Sequence, residues 1–82
     1  MKMKYKVKVA DKPEKIIKIT TEFIRLDSAL KLSNAVTTGG AAKMIIQDGL
    51  VKVNGEICLS RGKKLRKNDS FEYEHIIYKI DM

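Results

Sequence analysis

The sequence has no tryptophan, five aromatic residues in all, and a single proline, a single histidine and a single cysteine. Each scarcity closes off a class of function. One thiol, Cys58, cannot make an internal disulfide, and Cys58 with His75 falls short of the ligand set of a Cys/His zinc site. Cys58 therefore reads as a small strand residue rather than a reactive thiol. With so few aromatics, base stacking in the manner of single-strand binders fits poorly. The acidic residues show no metal-ligand grouping, and His75 has no Ser or Cys beside it in a nucleophile arrangement. Gly39-Gly40 lacks the Gly-Lys-Ser/Thr ending with which a phosphate loop holds a nucleotide. No catalysis, cofactor or metal is expected. No apolar run approaches the roughly 20 residues that span a bilayer, and the Lys-rich start lacks the apolar stretch of a secretory signal. The expected location is the cytoplasm.

Acidic residues are also few: 10 Asp and Glu stand against 17 Lys and Arg, giving a formal net charge of +7. The excess is unevenly spread. Residues 2–18 and residues 43–67 are each net +5, residues 19–42 balance to zero, and residues 68–82 come to −3. Two basic regions around a neutral middle suit a polyanion-binding face if folding brings them together. The alternative is compositional, since Lys outnumbers Arg fourteen to three and a Lys-favouring proteome would produce much of this charge without function. At 82 residues, 44% of them hydrophobic and 33% charged, the chain suits one compact folded unit with a modest core.

Hydrophobic spacing then divides the chain. Residues 4–9 alternate, with Tyr5, Val7 and Val9 on one face and three Lys on the other, which predicts a strand with one wet face. The Lys stripe that starts at Lys2 reads as a solvated face that also discourages edge-to-edge aggregation. A turn at Asp11-Lys12-Pro13-Glu14 leads into a β-branched strand at Ile16–Thr20, and the two strands are expected to form a hairpin. From Leu26 the period becomes helical, predicting a short helix over 26–34. A second helix is expected from about Gly39 to Asp48, capped by Thr38 and stopped by Gly49. Asn54-Gly55, between Val51-Lys52-Val53 and Glu56–Leu59, supplies the two positive-φ positions of a tight hairpin turn. Residues 61–67 read as a basic connector, Asn68-Asp69 as a turn, and Phe71–Glu74 with Ile76–Ile80 as closing strands.

Three motifs occur in order: Arg25-Leu26-Asp27 with Leu30; Ala42, Ile45, Ile46 and Gly49 followed by Val51-Lys52-Val53-Asn54-Gly55; and a basic loop ending in Asn68-Asp69. Together, over about residues 24–74, these resemble the S-four RNA-binding domain. With residues 38–43 and 61–65 they look closer still to its small stand-alone branch, the YaaA or YbcJ family. The resemblance implies an α+β fold in which two short helices pack on a β-sheet, here residues 24–82, with residues 1–23 as an added N-terminal hairpin. It also implies that the helices and the following hairpin present a basic face to structured RNA, often ribosomal.

One departure is informative. Where the broad family opens its second helix with Ser-Arg, this chain has Thr38-Gly39, so the Arg contact is missing. Gly39 and Gly40 leave the first amides unshielded, so that a phosphate can approach the helix terminus; equally, they let the chain turn tightly between packed helices. Lys43, one turn on, adds a phosphate contact or is a solvated charge. Arg25 resembles the basic residue of the Arg-Leu-Asp motif and is expected to reach RNA, against an intramolecular pair with Asp27 or Glu22. Asp27 is expected to cap or charge-complement its helix. Among five cations in residues 61–67, Arg61, Lys63 and Lys64 are the expected RNA ligands. The expected partner is therefore folded or double-helical RNA, recognised by shape and phosphate. The rivals are an adaptor role on an acidic protein surface and weak DNA binding through charge alone.

Overall fold

The computed structural model describes residues 12–82. Strands β1 (Glu14–Lys18) and β2 (Ile24–Arg25) precede helices α1 (Leu26–Leu32) and α2 (Gly39–Gln47). Strands β3 (Lys52–Val53), β4 (Glu56–Ile57), β5 (Lys64–Leu65), β6 (Ser70–Tyr73) and β7 (Ile76–Asp81) follow. One sheet has the order β1-β7-β6-β3-β4, and β2 pairs with β5 in a separate two-stranded ribbon. The α+β class, with two short helices and a mixed sheet, is as the sequence implies.

The helices form where the apolar spacing places them, and local chemistry sets their ends. Leu26, Ala29 and Leu30 are the buried stripe of α1. This helix stops two residues short of the expected end: Ser33 Oγ donates to the Leu30 carbonyl at 3.0 Å and Asn34 turns to φ 62°. In α2, Ala42 and Ile46 are buried. The Thr38 hydroxyl caps its start by accepting from the Ala41 N–H at 3.0 Å, and Gly49 leaves the helix at φ 75°, a conformation that costs other residues more. Leu26, Leu30, Ile46, Val51, Phe71 and Ile80 are fully enclosed where the helices meet the sheet.

The β3–β4 hairpin turns at Asn54 (φ 50°) and Gly55 (φ 90°), both left-handed as a tight two-residue connection requires. A second such turn, at Glu74 (φ 52°) and His75 (φ 67°), joins β6 to β7 without glycine or asparagine. Its strain is carried by cross-strand packing: Phe71 faces Tyr78 in register, with stacked rings 4.7 Å apart.

Two expectations need adjustment, and a third is not reached by the described residues. The strand expected at 16–20 begins at Glu14, directly after Pro13, and pairs parallel with β7, setting Ile17 beside Ile80. The strand over 4–9, its hairpin pairing and the N-terminal Lys stripe lie outside the described residues. The stretch 61–67 is more than a connector, because β5 lies within it and Leu65 is fully buried.

At the sheet surface Lys12 Nζ meets Glu72 Oε2 at 2.8 Å. The hydrogen bond from Lys12 holds the Glu72 carboxyl below its ordinary value of 4.5, against an opposing desolvation. A carboxyl depressed by folding contributes its stability in full above its unfolded value, and loses it as pH falls through the folded one. The difference in urea stability between the wild type and Glu72→Gln is therefore expected to narrow from pH 7 to pH 3. A difference that stays constant would show that the pair contributes nothing.

Candidate nucleic-acid interface

The N-terminus of a helix leaves backbone N–H groups without intrahelical partners. In α1 the basic loop supplies them: the Leu26 N–H donates to the Lys63 carbonyl at 2.9 Å and the Asp27 N–H to the Arg61 carbonyl at 3.1 Å. The Ser28 N–H is taken by Asp27 Oδ1 at 2.8 Å. Asp27 lies within the first turn, where its charge complements the helix start, while the N-cap position itself is held by Arg25 without a side-chain cap. These backbone bonds, with the antiparallel register Ile24–Leu65 and Arg25–Lys64, fix the loop against the start of the helix. Arg25 thereby stands beside Arg61, Lys63 and Lys64 although its segment is remote from theirs in sequence.

The Arg25 guanidinium lies over Gly62, where an added Cβ would stand 3.7–4.0 Å from three of its atoms. Arg25 also makes the intramolecular pair that was the alternative to RNA contact, donating from Nη2 to Asp27 Oδ2 at 3.1 Å. That bond orients the planar fork without using all its donors, and the side chain remains 52% exposed. Arg61, Lys63 and Lys64 are exposed. None of the three has a carboxylate at salt-bridge distance among the described residues.

Thr38, Gly39, Gly40 and Lys43 form a second group at the start of α2, all exposed. An added Cβ at Gly39 would meet nothing within 4 Å, and at Gly40 only Thr38 Oγ1 at 4.0 Å. Close helix packing thus does not demand glycine at either position. The Gly39 and Gly40 N–H groups have no protein acceptor among the described residues. Packing of α1 on α2 connects this group to the first, but among the described residues no hydrogen bond or ion pair joins Lys43 to Arg25 or the loop.

Sequence reasoning passed over Phe23. Lys64 Nζ lies 4.8 Å from its ring centroid and Arg66 Cζ 5.7 Å. The available signal was the alternation Lys64-Leu65-Arg66 opposite Phe23-Ile24-Arg25, two short strands whose apolar middles face inward. Among the described residues no group of three or more His, Cys, Asp and Glu is placed to hold a metal ion, and no helix is long and apolar enough to cross a membrane.

A model of the S4 domain, the S-four domain of the sequence comparison, matches residues 17–81. A protein of Bacillus subtilis (strain 168) described as a probable ribosome maturation protein RlbA is 41% identical over 58 residues, 71% of this chain and 82% of that relative. The match runs from the buried Ile17 of β1 through both helices and the basic loop to the end of β7, and the chain belongs to the S4 domain family.

Proposed function

We propose that this chain is a non-catalytic, cytoplasmic RNA-binding protein that docks on structured RNA, ribosomal RNA in particular, during ribosome maturation. Arg25, Arg61, Lys63 and Lys64 form one contact group, and Thr38, Gly39, Gly40 and Lys43 the other. The observation that carries the reading is the docking of the basic loop onto α1 through the Lys63 and Arg61 carbonyls, which gathers dispersed cations on one rigid edge. Membership of the S4 domain family and the name of the Bacillus subtilis relative support ribosomal RNA as the partner. At α2, the uncovered Gly39 and Gly40 amides add donors for a phosphate oxygen.

Affinity assembled from phosphate contacts releases counterions and falls with salt. Four to six contacts give an expected log–log slope of about −3 to −5, at roughly 0.7 to 0.9 per phosphate. A flat salt response with ribosomal RNA would remove the electrostatic mechanism. The adaptor reading, in which the basic face meets an acidic protein surface, draws on the same exposed Arg61, Lys63 and Lys64. Absorbance at 260 and 280 nm of the purified protein, before and after nuclease, separates the two, since an adaptor would carry no nuclease-sensitive material.

A further inference from the structure

Alternation along the β2–β5 ribbon sends Leu65, fully buried, and Ile24, half-buried, towards the core. Arg25, Lys64 and Arg66 are left on the exposed outer face with the half-buried Phe23. Lys64 Nζ and Arg66 Cζ both lie over the Phe23 ring, at 4.8 and 5.7 Å from its centroid. Neither side chain has a carboxylate partner among the described residues. The distinction from Arg25 is chemical. A carboxylate such as Asp27 orients a cation but offsets its charge, whereas the negative face of a ring orients it and leaves the full positive charge for an incoming anion.

We propose that Phe23 is a positioning residue of the RNA site, its ring holding Lys64 and Arg66 aligned along the outer face of the ribbon for the phosphodiester backbone. This rests on the RNA-binding reading and extends it by adding Arg66 to the contact group and giving Phe23 a role. Long flexible cations lose rotamer freedom when they bind, and a partner that orders them beforehand reduces that loss. The ring acts through the cations and does not itself touch RNA.

The test uses the full chain with fragmented, end-labelled ribosomal RNA, comparing the wild type with Phe23→Leu and Phe23→Tyr. Phe23→Leu keeps an apolar side chain but has no ring face, and is expected to weaken binding about three- to tenfold, the range for an exposed cation–π contact and the ordering it provides. Phe23→Tyr should bind like the wild type, and all three should melt together. Free of RNA, the Lys64 ε-methylene protons should show an upfield ring-current shift in the wild type and Phe23→Tyr, lost in Phe23→Leu. Unchanged affinity in Phe23→Leu, equal loss in both variants, or no ring-current shift in the wild type would each overturn the proposal. If the wild type fails to bind ribosomal RNA, the RNA reading falls and this role with it, and an intact ring-current shift would place the error there rather than in the ring–cation geometry.

Discussion

Replacing Leu65 by Ala is expected to destabilise the protein by about 2–4 kcal/mol and lower its melting temperature by roughly 10–30 °C, as fully buried Leu→Ala changes do in domains of this size. Leu65 is fully buried, so its truncation removes transfer free energy and leaves a cavity. The effect should also be local. Leu65 is the inward residue of a two-residue strand, and the carbonyls that satisfy the start of α1 lie just before it, at Arg61 and Lys63. Hydrogen exchange at the Leu26 and Asp27 amides should accelerate more than at Ile46, in the middle of the core. Leu65→Met nearly conserves volume and should cost less than about 1.5 kcal/mol. A melting shift of only a few degrees in Leu65→Ala would mean that the basic loop is a surface connector after all.

That loop marks where sequence reading stops. Asn54-Gly55 was legible because few dipeptides favour two successive positive φ angles, and α2 was legible because Thr38 and Gly49 bracket an unbroken apolar stripe. The strand β5 was hidden because a single inward residue, Leu65, sits among five cations, and its partner β2 is remote in the chain. Local spacing says nothing about such a pairing. The break between the two closing strands was legible, but the left-handed Glu74-His75 turn was not, since neither residue is Gly or Asn, and the antiparallel β6–β7 pairing with its Phe71–Tyr78 packing holds it. Asn54 and Asp69 were visible as separate turn residues, yet they are one device. Asn54 Oδ1 accepts from the Ser70 N–H at 3.0 Å and its Nδ2 donates to Asp69 Oδ1 at 3.2 Å. Asp69 Oδ2 in turn accepts from the Arg66 N–H at 2.8 Å. The hairpin turn thus anchors the far end of the basic loop, a link that explains why Asn and Asp are found there. For the site, residue type pointed to Arg25, Arg61, Lys63 and Lys64, but their convergence rests on backbone bonds that no side-chain pattern announces.

If that convergence makes one contact surface, changing Arg61, Lys63 and Lys64 together to Ala should weaken binding to ribosomal RNA by more than tenfold at about 0.1 M salt. The log–log salt slope should become shallower by about 2 to 3, at roughly 0.7 to 0.9 per lost phosphate contact. The fold should hold. Exposed charge substitutions usually stay within about 0.5 kcal/mol, and the Arg61 and Lys63 carbonyls that cap α1 belong to the backbone, which Ala retains. A charge-matched control replaces Lys15 on β1, Lys31 at the end of α1 and Lys79 on β7, all exposed, by Ala. At this salt the screening length is only about 10 Å, so charges elsewhere on the surface should contribute little to the contact. The control triple should therefore bind within about threefold of the wild type, the residue of long-range attraction left after screening. Equal losses in the two triples would mean that net charge alone attracts the RNA and no localised site exists. A loss confined to the control would move the interface to the β1–β7 side of the molecule.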